Sequence, residues 1–209
     1  MKLKKGILVT FEGGEGCGKS THVNLLKDYL EDKGFKVLVI REPGGTKTGE
    51  KLRKILLEGK SKISSLTELF LFLASRRELI IKVIEPALKQ NKIIICDRFI
   101  DSTVAYQGYA RGINIELVSK LNDLVVGKKA LPDITFILDT NKHLGFKSKG
   151  EDRIEVEDKS FHKRVREGYL EIAQKASSRV KVINVDDKIV DIQKKIRIIV
   201  NESLTKFKV

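Results

Sequence analysis

A chain of 209 residues fits one domain with a full core, and 41 Lys and Arg against 28 Asp and Glu, a formal charge of +13, suit polyanionic ligands such as nucleotides or nucleic acid. The lysines are scattered along helix faces with no basic stripe interleaved with aromatics, which weakens the nucleic-acid option, and no apolar run reaches membrane-spanning length. Two cysteines, Cys17 and Cys96, make neither a disulfide framework nor a metal cluster and point to a reducing cytoplasm.

The first element is the apolar run Ile7 to Phe11, too short for a signal peptide core and read as a buried strand over Gly6 to Glu12. It feeds directly into Gly13-Gly14-Glu15-Gly16-Cys17-Gly18-Lys19-Ser20-Thr21, which fits the phosphate-loop pattern G-x-x-x-x-G-K-[ST] and opens a helix over Thr21 to Lys33. Glycines at 13, 16 and 18 let successive amide N–H groups turn toward phosphate oxygens, and the helix N-terminus adds partial positive charge. Lys19 is expected on the β and γ phosphates of a nucleoside triphosphate, with the Ser20 hydroxyl on Mg2+.

Further strands are predicted over Lys36 to Arg41, Lys92 to Asp97, Asp133 to Asp139 and Arg179 to Val185, alternating with helical patterns. This rhythm predicts an α/β three-layer sandwich, a parallel sheet covered on both faces, as one domain over 1–209 with its ligands at the carboxyl ends of the strands. Glu42-Pro43-Gly44-Gly45-Thr46 reads as a turn. Leu66 to Gln90 reads as one long helix, apolar nearly all round at Leu69 to Leu73 and therefore buried. The polar stretch from Asn141, with a short lid at about 141–155, precedes an amphipathic helix over Ser160 to Ala176.

Asp97-Arg98 closes an apolar strand where phosphates and Mg2+ are expected, so Asp97 is a candidate metal ligand alongside Ser20. Phe72 and Arg76 are four residues apart on one helix face. They suit either a core aromatic with a surface ion pair, or a base-stacking ring with a cation for the same ligand's anionic group.

Three ordered stretches together resemble the thymidylate kinase family: Phe11 to Thr21, Arg41-Glu42-Pro43-Gly44-Gly45-Thr46, and Asp97-Arg98-Phe99 running to Ala105-Tyr106-Gln107-Gly108. Leu71 to Arg76 and Pro132-Asp133 fit as well, so the resemblance covers nearly the whole chain. It implies a homodimer with a five-stranded parallel sheet that transfers the ATP γ-phosphoryl group to dTMP. By the same resemblance Phe72 would stack on thymine, Gln107 and Ser102 would lie near the base edge, and Tyr106 would crowd the sugar 2′ position. Arg76 and Arg98 would grip the acceptor phosphate with help from Arg53, Glu15 would approach the 3′ hydroxyl, and Glu42 would support the site.

Family members carry a transition-state arginine in the phosphate loop or in the lid. Position 16 is Gly, and the short lid carries Lys147 and Lys149 where arginines are common, which leaves Arg153 as the expected catalytic guanidinium. Such an arginine is worth about 10^3 to 10^5 in rate in related phosphoryl transfers. The competing reading ties Arg153 to Glu155 or Glu157 in a salt bridge. Rival functions are a kinase for another nucleoside monophosphate on the same fold and a nucleic-acid-associated ATPase.

Overall fold

Strand-length runs of Ile, Leu, Val and Phe without polar alternation are stable only where both faces of the sheet are covered. The computed structural model, which describes residues 3–58, 62–140 and 152–207, has that architecture. Strands β1 (Ile7–Gly13), β2 (Val37–Arg41), β3 (Ile93–Asp97), β4 (Ile134–Asp139) and β5 (Val180–Asn184) form one sheet in the order β2-β3-β1-β4-β5. Every pairing is parallel. Each strand begins and ends within one residue of its predicted limits.

Period-two alternation divides the core in two. Ile7, Val9 and Phe11 of β1, with Ile93 and Ile95 of β3 and Phe136 of β4, pack against α1 (Lys19–Asp32) and α8 (Ile189–Thr205) through Leu26, Leu30, Ile192 and Ile196. Leu8, Ile94 and Cys96 face the opposite way, onto Ile80, Ile84 and Val126. Ile137 of β4 meets Val165, Tyr169 and Ile172 of α7 (Lys159–Lys175) on that side. α2 (Lys47–Leu57) and α3 (Ser65–Leu79) follow β2, and Thr46 and Ser64 cap them by accepting from the backbone N–H groups of Gly49 and Thr67.

The predicted long helix is present but not uniform. α3 runs into a wider helical turn over Ile80–Ile84 and then α4 (Glu85–Lys89). Pro86 near the start of α4 has no N–H to close an ordinary turn, which accounts for the widening before it. Nor is the helix buried all round: Leu69 and Leu73 point inward, whereas Phe70 is 51% exposed. After β3 come α5 (Ile100–Thr103), a second wide segment over Val104–Ala110, and α6 (Ile115–Val126), which packs on α3.

β1 lies at the centre of the sheet, and the chain leaves it first toward β3 and β2, then toward β4 and β5. The crevice at this reversal lies beyond the carboxyl ends of β1, β3 and β4, which carry Gly13, Asp97 and Asp139. Phe136 is fully buried and packs on Phe11 with ring centroids 5.3 Å apart. Phe136→Ala is expected to lower the unfolding free energy by about 3–5 kcal/mol, read from the urea midpoint at unchanged slope.

Candidate active site

The loop after β1 is shaped by close backbone approach. Gly13 has φ +136°, and a Cβ there would stand 2.4 Å from the Leu138 carbonyl oxygen, so only glycine lets β1 end against β4. Gly18, at φ +82°, turns the chain into α1. Lys19 is buried, its Nζ donating to the carbonyls of Gly14 at 2.7 Å and Gly13 at 3.2 Å. At the start of α1 the Ser20 hydroxyl donates to Asp97 Oδ2 at 3.2 Å, so the two expected metal ligands meet. Both are hard oxygen donors of the kind Mg2+ takes.

Arg98 follows β3 in the left-handed region at φ 68°, unusual for a non-glycine residue. Its N–H donates to the Phe11 carbonyl at 2.9 Å and its own carbonyl accepts from Cys96 Sγ at 3.0 Å, which hold the conformation. The guanidinium is thereby turned toward the phosphate loop. It pairs with Glu15, donates to the Gly13 carbonyl at 3.0 Å and lies 5.2 Å from the Tyr106 ring centre. Burial alone would raise the Glu15 pKa, but Arg98 and Lys19 outweigh it and hold the carboxyl below its usual range. The Tyr106 hydroxyl also donates to Glu15, at 3.3 Å.

A cleft opens between these groups and α3. Phe72, Arg53, Ser102, Tyr106 and Gln107 line it together with Glu15, Glu42 and Arg98. On the other side of the loop a second concave site is lined by Gly16, Cys17, Gly18, Thr21 and His22, with Val185, Asp186 and Asp187 after β5. The loop thus separates two concave sites, one aromatic and guanidinium-rich, the other open to the helix N-terminus.

Two of the expected residues are bound to protein partners. Arg76 borders the cleft, yet it is 1% exposed and all five of its N–H groups are engaged within the protein. Its Nε and Nη2 hold Glu42 Oε2 at 2.8 and 2.6 Å, and the rest go to Thr103, Asn122 and the Phe99 carbonyl. A guanidinium so saturated would have to give up one of these partners to reach an acceptor phosphate. Arg153 is likewise not over the phosphate loop. It donates to Glu68 Oε2 at 2.6 Å and to the Leu56 carbonyl at 3.1 Å, so it has neither the phosphate-facing position nor the expected Glu155 or Glu157 bridge. Lys147, Lys149 and most of the lid, 141–151, lie outside the described residues.

Sequence reasoning missed the layer beneath the cleft. Glu12, fully buried, accepts from the Phe99 N–H at 2.8 Å, Ser102 Oγ at 2.5 Å and Tyr169 Oη at 3.2 Å. Tyr169 also lies 3.3 Å from Arg98 Nη1, so this layer supports the guanidinium from below. Burial first, and the neighbouring Asp101 second, push the Glu12 carboxyl up to about 7. Its one sequence signal was a charge inside an otherwise apolar strand.

A sequence profile described as Thymidylate kinase matches residues 11–196. Thymidylate kinase of Thermoanaerobacter pseudethanolicus is 42% identical over 201 residues, covering 91% of this chain and 98% of its own. That of Dehalococcoides mccartyi is 49% identical over 167 residues, covering 78% and 80%. The crystal structure of thymidylate kinase from Ehrlichia chaffeensis superposes with a TM-score of 0.79 at 40% identity, covering 94% of this chain and 98% of that one.

Because the folded pKa of Glu12 stands above its ordinary 4.5, folding takes up a proton between the two values. Its contribution to stability is therefore fully present below the unfolded value and is lost as pH rises through about 7. Glu12→Gln removes this dependence. Urea unfolding of both proteins at about pH 5 and about pH 8 is expected to show the variant gaining on the wild type by roughly 3 kcal/mol across that interval.

Proposed function

The chain belongs to the thymidylate kinase family and transfers the γ-phosphoryl group of ATP to dTMP, and we propose the following division of that work among its residues. dTMP occupies the cleft between α3 and the phosphate loop, and ATP the cavity beside α1 and the segment after β5. The observation that carries this is the arrangement of two cavities on either side of one phosphate loop, with Arg98 between them.

The acceptor needs no general base, since a phosphate ester has a second pKa of about 6 and its oxygen is already a nucleophile at neutral pH. The obstacle is repulsion: two like charges about 4 Å apart cost roughly 4 kcal/mol at an effective dielectric near 20. Arg98 answers it by exchanging Glu15 for the acceptor phosphate, and Arg53 at the cleft mouth adds a second guanidinium. Lys19 leaves the Gly13 and Gly14 carbonyls for the β and γ phosphates, which the N–H groups of 13 to 21 cradle. Glu15, released from Arg98, turns to the sugar 3′ hydroxyl. Phe72 stacks on the base, Ser102 and Gln107 face its edge, and Tyr106 closes the space a 2′ hydroxyl would need. Arg76 acts here by fixing Glu42 and the wall of the cleft.

Ser20 and Asp97 would hold Mg2+, and their 3.2 Å contact supports the fit. When bound, the ion draws negative charge off the ATP oxygens. The whole chain, 1–209, works as one domain, supported by a single sheet built from β1 through β5 and closed by α8 against α1. We place it in the cytoplasm, in keeping with free Cys17 and Cys96. Among the described residues no helix is long and apolar enough to cross a membrane. Its partners are ATP, dTMP and a second copy of itself rather than nucleic acid.

ADP formation from ATP and Mg2+ is expected to be stimulated most by dTMP, more weakly by dUMP, and little by UMP, CMP, AMP or GMP. One methyl group in an apolar pocket separates the first two by only about 1–3 kcal/mol. Absence of dTMP stimulation would overturn the assignment. For the dimer, the surface is the apolar strip of Leu66 and Phe70 on α3 and Leu117 and Leu124 on α6, from 43 to 78% exposed. Phe70→Glu with Leu124→Glu is expected to convert a dimer to a monomer in light scattering, and a wild-type monomer would refute this part.

A further inference from the structure

Glu68 is a carboxylate where the helical pattern calls for core. It lies one turn before Phe72 on α3 and is 1% exposed. Its two oxygens accept from three residues far away in the chain. Oε1 takes Gln107 Nε2 at 2.9 Å and Arg111 Nε at 3.1 Å, while Oε2 takes Arg111 Nη2 at 3.2 Å and Arg153 Nη2 at 2.6 Å. Arg111 in turn pairs with Glu157 at 2.5 Å, so two acids and two bases balance. Burial alone would raise the Glu68 pKa, but the bonds from Arg111, Gln107 and Arg153 overcome it and keep the carboxyl below its usual range.

An ionised carboxylate only accepts hydrogen bonds. The Gln107 amide is therefore not free to turn over: its NH2 must face Glu68, which leaves its carbonyl oxygen as the amide group of this cleft-lining side chain that Glu68 does not hold. A neutral or absent partner at position 68 would leave both orientations open. An acceptor at a base edge suits an imide N3–H, the donor between two carbonyls in thymine or uracil. It opposes cytosine, whose N3 is itself an acceptor.

We propose that Glu68 is a specificity-determining positioning residue, which locks the Gln107 amide with its oxygen toward the base and so makes the cleft select an imide-bearing pyrimidine over cytosine. The inference rests on the placement of dTMP against Gln107 argued above. Glu68 touches no substrate; it acts through Gln107. The Arg153 and Arg111 bonds keep the carboxylate ionised and fixed, so Arg153 supports base reading rather than phosphoryl transfer.

The test is the ratio of kcat/KM for dTMP to that for dCMP, which does not depend on how much of the enzyme is folded. Glu68→Gln, nearly isosteric, and Glu68→Ala are expected to lower this ratio about tenfold, as befits loss of one charge-assisted hydrogen bond. KM for dTMP rises by a similar factor, while KM for ATP stays within about twofold. Gln107→Leu lowers the ratio by itself, and adding Glu68→Gln to it produces no further fall. An unchanged ratio in both Glu68 variants, with Gln107→Leu still lowering it, would overturn the role of Glu68 alone. An unchanged ratio in Gln107→Leu would instead overturn the placement of the base on which the inference rests.

Discussion

The ion pair between Arg98 and Glu15 is the contact on which the rest of the active site is arranged. It joins the end of β3 to the phosphate loop, two segments 83 residues apart, across the line where donor and acceptor meet. Holding it requires a left-handed backbone at Arg98, a conformation that costs on the order of 1–3 kcal/mol for a side-chain-bearing residue. The Phe11 carbonyl and the Cys96 thiol take up the backbone polar groups on either side of that turn. Beneath, Glu12 fixes the Phe99 N–H and the hydroxyls of Ser102 and Tyr169. Strand, turn and helix are therefore organised to hold one guanidinium against the phosphate loop, where on the proposed assignment an acceptor phosphate would take the place of Glu15.

That arrangement explains the distribution of charge at the sheet edge. A dry site that must accept several negative charges cannot leave all its cations unpaired when empty, because a buried uncompensated charge costs several kcal/mol. Lys19 rests on the carbonyls of its own loop and Arg98 on Glu15, and Arg53 donates to the Pro43 carbonyl at 2.8 Å. Each of these contacts can be exchanged for a phosphate oxygen of similar geometry. Burial first, and then the nearby Arg41, lower the Arg53 pKa, which marks a cation that an arriving anion would relieve.

Much of this was legible in the sequence, for physical reasons that also mark its limits. The central strands β1, β3 and β4, buried on both faces, appear as largely apolar runs, and the half-exposed edge strands β2 and β5 keep enough Val, Leu and Ile to be read with them. The phosphate loop is a local device whose glycines and lysine act within nine positions of one another, and it too could be read directly. Phe72, Ser102, Tyr106 and Gln107 lie together on the cleft wall. What could not be read is how each arginine is used. Arg76, Arg98 and Arg153 look alike in sequence, and their difference rests on partners 27 to 85 residues away, such as Glu42, Thr103, Glu15 and Glu68. Glu12 and Glu68 were invisible for the same reason, since a carboxylate in an apolar element carries no sign of what will neutralise it.

The contrast among those arginines gives the site its working logic. Arg76 makes five hydrogen bonds at 1% exposure, an arrangement in which every donor is engaged within the protein. Arg98 makes a close ion pair with Glu15 and a 3.0 Å bond to the Gly13 carbonyl, and longer ones, at 3.3 and 3.5 Å, to the hydroxyls of Tyr169 and Ser102. Preorganised electrostatics requires both kinds, because a donor can be aimed at developing charge only if the wall carrying it does not relax away. Among the carboxylates, Glu68 is held on both oxygens by guanidinium groups, Glu42 on one oxygen by Arg76, and Glu15 by Arg98. A lid arginine would be a third kind, supplied only on closure. With Arg153 on Glu68, the cations of the described residues that the proposed assignment sets against the phosphoryl charge are Arg98, Arg53 and Lys19, each now on a protein partner.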